Sequence, residues 1–217
     1  GANSSSYTLT QADVGFYIRA LASFIDGFGN PELVTSNTTP SPVENVDDEA
    51  SGLLTLPAHA EEGSSIAAAL SAIIDLDGST TTSFQWQEFK GSEWSNITTI
   101  NANTSSLSIP PDQSFVGKLV RVIATTLDSL GGTTDFVSSS LLIANINDSP
   151  TGSLSLSGTP SQNQTLSTTS TIDDPDGLGS LSYSWQRSSD GSTNWSTISG
   201  ANSSSYTLTQ ADVGFYI

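Results

Sequence analysis

Apolar and polar residues alternate along most of this chain instead of recurring at helical spacing. Ser83-Phe-Gln-Trp-Gln, Lys118-Leu-Val-Arg-Val-Ile-Ala, Leu181-Ser-Tyr-Ser-Trp-Gln and Tyr206-Thr-Leu-Thr each show it. Such a period of two marks a strand with one buried face. The runs are short, rich in Thr, Val, Ile and aromatics, and set off by Gly, Asn, Asp and Pro, the spacing of an all-β sandwich. In the middle of the chain they predict strands near 53–57, 65–74, 81–89, 93–97, 104–109, 117–126 and 133–143. Ala67-Ala-Ala-Leu-Ser-Ala is the closest approach to a helical stretch. It aligns with the β-prone Ser167-Thr-Thr-Ser-Thr, so it too reads as strand.

That alignment belongs to an internal repeat. Residues 1–18, GANSSSYTLTQADVGFYI, recur unchanged at 200–217, an offset of 199. Inside this period lies a weaker repeat of about 100 residues. Gly52-Leu-Leu-Thr-Leu answers Gly152-Ser-Leu-Ser-Leu, Asn45-Val-Asp-Asp answers Asn145-Ile-Asn-Asp, and Trp86-Gln87 answers Trp185-Gln186. The expected organisation is a complete repeat at 51–150, the second half of a sister repeat at 1–50, and the first half of another at 151–217. The two halves read as pieces of one domain, joined either in a longer array or between neighbouring chains.

Seven strands in about 100 residues is the size of an immunoglobulin-type sandwich. Trp86 and Trp185 fall on the third strand, where that fold packs an aromatic between its sheets. The run Leu9-Thr-Gln-Ala-Asp-Val-Gly-Phe-Tyr-Ile resembles the corner that opens the sixth strand, with Tyr17 as its tyrosine. The complete repeat reads Asp112-Gln-Ser-Phe-Val-Gly-Lys-Leu there, with Leu119 in the tyrosine's place, and the disulfide pair is absent. Fibronectin-like and cadherin-like sandwiches fit the pattern as well.

Acidic residues gather in three kinds of place. They follow the second strand (Asp75-Leu-Asp-Gly and Asp173-Asp-Pro-Asp-Gly), follow the sixth (Asp128-Ser-Leu-Gly-Gly and Asp26-Gly-Phe-Gly-Asn), and occupy the linkers (Asn45-Val-Asp-Asp and Asn145-Ile-Asn-Asp). In a sandwich of this type these loops share one pole, so the groups should meet where one repeat joins the next. Hard oxygen donors in such number suit calcium, which takes six to eight oxygen ligands. The expected ligands are Asn45, Asp47, Asp48, Asp75, Asp77 and Asp128 at one join. At the other they are Asn145, Asn147, Asp148, Asp174 and Asp176, with Asp26 as the sixth-strand aspartate one period earlier.

Composition narrows the remaining choices. Five Lys and Arg against 22 Asp and Glu leave a net charge of −17, which excludes nucleic acid, whose phosphates require cations. No 18-residue apolar run is present, so membrane insertion by a helix is not expected. With no Cys and one His, His59, thiolate chemistry and paired-histidine mechanisms are ruled out. The expectation is that this is not an enzyme. Trp94 and Trp195 could serve as exposed platforms for sugar or protein ligands, although packing is the simpler role. Eight Asn-x-Ser/Thr sequons occur in a chain with 40 Ser and 26 Thr.

Read through, the pattern Gly-x-Pro-x-Gln-x-Gln-x-Leu, Asp-x-Asp-Gly, Tyr-x-Trp-Gln, Tyr-Thr-Leu and Asp-Val-Gly resembles the Ig-like or cadherin-like tandem repeats of giant bacterial surface adhesins, including those of the repeats-in-toxin type. The resemblance implies tandem sandwiches in an extended array, found at the cell surface or outside the cell, stiffened by calcium and serving adhesion and biofilm formation. The implied partners are neighbouring copies of the same repeat, in a covalent array or a filament.

Overall fold

The computed structural model describes residues 2–99 and 101–217. It is all-β, with 17 strands and two short 3-10 turns among the described residues, and none of its helices is long and apolar enough to cross a membrane. Two compact units are distinguished. The first comprises Gly1–Ala58, Ser65–Ser108 and Leu119–Leu142; the second comprises His59–Ser64, Ile109–Lys118 and Ile143–Ile217.

In the first unit the long strand Leu119–Asp128 pairs antiparallel with Ser79–Phe89 on one edge and with Thr133–Val137 on the other. Leu141 and Leu142 add a further short pairing to it. Side chains on Leu119–Asp128 alternate between buried and half-buried along most of its length, as its sequence predicts. Two more pairs, Ser51–Thr55 with Ala69–Ile74 and Ser65–Ala67 with Ser106–Ser108, supply the facing layer. Trp86 is fully buried together with Ile66, Leu107, Val120 and Val122. Its indole Nε1 donates to Thr104 O at 2.9 Å, which meets the need of a buried N–H for a partner.

The predicted strand at 65–74 is broken into Ser65–Ala67 and Ala69–Ile74, and the one at 133–143 into Thr133–Val137 and Leu141–Ala144. The first break comes where the chain passes from one pairing partner to another, whereas both pieces of the second stay on Leu119–Asp128.

The same unit contains a hairpin, Leu21–Ile25 with Pro31–Thr35, whose strand residues are all exposed and pair with no further strand among the described residues. Just before it, Gln11–Asp13 makes a 3-10 turn. Asp13 caps this turn by accepting from Thr10 N (2.8 Å), and Tyr7 Oη donates to the same oxygen (2.8 Å). The hydroxyl that locks this corner is therefore that of Tyr7. Tyr17, the tyrosine expected from the sequence, is exposed.

In the second unit Leu154–Ser157, Thr165–Ser170 and Ser205–Thr207 form a three-stranded sheet over Leu166, Trp185 and Leu208. Registers repeat between the units. Leu154↔Ser170 matches Leu54↔Leu70 with each residue displaced by 100. Trp185 repeats three hydrogen bonds of Trp86, with Ala201 and Ser203 standing 99 positions after Ala102 and Thr104 and Ile198 standing 101 after Ile97; its Nε1 donates to Ser203 O at 2.8 Å. The alternating run Leu181–Gln186, expected as a strand, has only Gln186–Arg187 in a ladder. In the first unit the equivalent residues are straightened by a neighbour, Leu119–Asp128. Here the corresponding ladder is a single bridge, Ser188↔Tyr216.

Candidate metal centre

Each unit gathers one group of carboxylates. In the first, Asp47, Asp77 and Asp128 place ligand oxygens within 4.8 Å of one another, the span across one ion with Ca–O bonds of about 2.4 Å. Asp77 stands in the turn Asp75–Gly78, where Asp75 Oδ1 caps its N–H at 2.9 Å. Its Oδ2 accepts the backbone N–H of Asp48 at 2.7 Å. Gln11 Nε2 bridges Asn45 Oδ1 (3.0 Å) and Asp77 Oδ1 (3.1 Å).

Asp128 ends the longest strand pair. Its Oδ1 accepts three successive backbone N–H groups, from Leu130 (2.6 Å), Gly131 (2.7 Å) and Gly132 (3.0 Å). Burial pushes the Asp128 carboxyl up, but those N–H groups and its hydrogen bond with Asp47 outweigh it and hold the group below the ordinary carboxylate range. Asp47 moves the other way, raised first by its hydrogen bond to Asp128 and then by loss of water and the charges of Asp128, Asp77 and Asp75. Gly132 is required here, because a Cβ at this position would collide with both the Asp47 and Asp128 carboxylates.

In the second unit the group is Glu62, Asp148 and Asp176, again within 4.8 Å. The linker repeats its earlier geometry: Asp148 N donates to Asp176 Oδ2 at 2.7 Å, and Asp174 Oδ1 caps Asp176 N at 3.0 Å. Gln113 Nε2 bridges Asn145 Oδ1 and Asp176 Oδ1, both at 2.9 Å. Glu62 is only 5% exposed. Its Oε1 accepts Ile146 N at 2.6 Å, and no donor among the described residues reaches its Oε2. An orphaned carboxylate oxygen buried in this way is costly, and a cation removes the cost. The donors are carboxylate and amide oxygens alone, a set that fits calcium or magnesium and offers no soft ligand.

Of the residues expected from the sequence, Asp47, Asp77 and Asp128 come together, as do Asp148 and Asp176. Asn45 and Asn145 border the two groups through the glutamines. Asp75 and Asp174 serve as turn caps. Asp48 contributes its backbone N–H to the first group, and Asn147 turns its amide to Asp148 O (2.9 Å). Asp26 holds its own hairpin loop, accepting Phe28 N and Asn30 N at 2.8 Å. Glu62, Gln11 and Gln113 are additions from the structure. Trp94 packs against Phe89, with centroids 5.3 Å apart, and under Arg121, 4.3 Å from its ring, so it offers no open platform. Trp195 is 41% exposed.

No family model matches the chain, and no curated protein matches it. One solved structure similar to it is described in the words "Ca2+-stabilized adhesin helps an Antarctic bacterium reach out and bind ice". The likeness is 14% in identity over 88% of this chain and 47% of that one, with a TM-score of 0.35. The chain thus spans about half the length of that structure. A superposition this loose assigns no residue.

Proposed function

We propose that this chain is a structural repeat segment of an extracellular surface adhesin or filament, and that calcium bound at its two carboxylate groups stiffens it. The observation that carries this reading is Glu62 Oε2, buried without a donor beside Asp148 and Asp176. The rest of the donor set supports the same ion. Each group ties a linker, 45–48 or 145–148, to the turn of the repeat that follows it. With carboxylates gathered on both sides, charge repulsion loosens the linker. An ion held by Glu62, Asp148 and Asp176, with Asn145 and Gln113 at its border, removes that repulsion and fixes the linker to the turn. Sites of this kind work where calcium is abundant, which suits the outside of the cell.

Calcium titration by calorimetry into chelator-treated protein tests the reading. Binding at two sites is expected, and by linkage each adds about 2.7 kcal/mol of stability at a hundredfold excess over Kd, which raises the melting temperature. A melting temperature unchanged between EDTA and millimolar calcium would refute it.

A further inference from the structure

A glutamine side chain reaches into the second carboxylate group. Gln113 Nε2 lies 2.9 Å from Asn145 Oδ1, 2.9 Å from Asp176 Oδ1 and 3.5 Å from Asp148 Oδ2. All three oxygens are acceptors, and the amide nitrogen has two N–H bonds to share among them. It does with hydrogen bonds what a cation does with charge, holding together oxygens that repel one another. Asp148 and Asp176 are two of the three carboxylates gathered here. The third, Glu62, is 5% exposed, and its Oε2 is reached by no donor among the described residues. The Gln113 amide therefore satisfies one side of the group and leaves the Glu62 side open.

The arrangement recurs in the first unit. Gln11 Nε2 stands 3.0 Å from Asn45 Oδ1 and 3.1 Å from Asp77 Oδ1, the counterparts of Asn145 and Asp176. In both places the nitrogen faces inward, and no donor among the described residues reaches the amide Oε1. Lysine or arginine could also donate to these oxygens, and glutamate could ligate an ion, but each does only the one. An amide does both, because a half-turn about its last torsion exchanges nitrogen for oxygen, and that torsion is broad and two-fold. The backbone under Gln113 is held on either side, which confines such a change to the side chain. Ile109 and Phe115 are buried, at 3% and 7% exposure. Asp112 Oδ1 accepts Ser114 N at 2.9 Å, and Ile109 N donates to Ser64 O at 2.9 Å.

We propose that Gln113 is a ligand with two orientations. In the ion-free protein its amide nitrogen holds Asn145 and Asp176, and with calcium present the amide turns over so that Oε1 joins the carboxylates of Glu62, Asp148 and Asp176. This role rests on the calcium reading. An amide kept in its ion-free orientation would set its N–H hydrogens against the cation. Turned over, it adds a neutral oxygen to three carboxylates, toward the six to eight oxygens that calcium takes.

Gln113→Glu separates this role from that of a fixed hydrogen-bond donor, since glutamate keeps the oxygen and loses the N–H groups. The full chain is titrated with calcium by calorimetry in an Asp77→Asn background, which weakens the first group. Gln113→Glu should raise calcium affinity at the second group by about tenfold, as ligand charge increases. In EDTA the same variant should melt below its parent, because an acid has replaced a donor. A donor that stays in place around the ion predicts a loss of affinity instead. A fall or no change in affinity overturns the role of Gln113 and leaves the calcium reading standing. The wild-type chain gives a second measurement that needs no altered site. Its Gln113 side-chain amide signal, identified by its absence in Gln113→Leu, should exchange with water faster in calcium than in EDTA. Equal or slower exchange in calcium, with two ions bound by calorimetry, overturns the role as well. If no calcium binds to the wild-type chain, the calcium reading falls and the role of Gln113 falls with it.

Discussion

Asp47 and Asp128 meet carboxylate to carboxylate, and the contact raises one group while backbone N–H donors hold the other down. Two acids in contact need either a proton or a cation between them. Asp47→Asn supplies an amide donor to Asp128 and removes one charge. In EDTA the variant should melt a few degrees above wild type, and in calcium it should lose that advantage. Calorimetric scans in the two buffers check both.

Glu62→Gln keeps the shape of the side chain but removes the charge that lies buried without a donor. Calcium affinity at the second group should fall by about 10- to 100-fold, with little loss of stability in EDTA. If affinity holds, Glu62 is not a ligand.

Gly132→Ala should abolish one of the two proposed calcium sites while leaving the other, because its Cβ would displace Asp47 and Asp128. The number of ions bound per chain, measured by calorimetry or equilibrium dialysis, should drop by one.

Trp86→Ala should destabilise the first unit by about 3–5 kcal/mol, the range for emptying a buried aromatic site. Trp94→Ala should cost less, since its ring lies at the surface under Arg121. Neither change should alter binding on a glycan array. Denaturant unfolding and the array together decide between packing and recognition.

Asp190 sits in a turn where the Thr193 hydroxyl, the N–H groups of Ser192 and Thr193, and the Ser188 hydroxyl hold its carboxyl far below the ordinary range. A carboxyl depressed on folding stabilises the native state above its unfolded pKa, near 3.8, and that contribution fades as pH falls through and below this value. Asp190→Ala should therefore lose stability at pH 7 and approach wild type near pH 2. Parallel melts across this range should show the two curves converging.

The alternation of Lys118–Ala124 and the pairing of Trp86 with Trp185 made the strands and core legible in the sequence, because burial on one face leaves a mark every second residue. The acidic loops were legible because Asp-x-Asp-Gly turns stand out in a chain so poor in charge. Glu62 was not. It lies outside the acidic runs, its repeat partner is Gln162, and nothing local tells that its carboxylate turns inward. Gln11 and Gln113 are ordinary residues until a turn aims their amides at Asn45 and Asn145. Asp75 and Asp174 carried the right motif, but a turn carboxylate two residues before an N–H caps it, leaving the second aspartate of each pair to face the linker.

The hairpin Leu21–Ile25 with Pro31–Thr35 buries none of its strand side chains, so its hydrogen bonds have little packing behind them. Its backbone amides should exchange with solvent long before those of Leu119–Asp128, whose alternate side chains are buried.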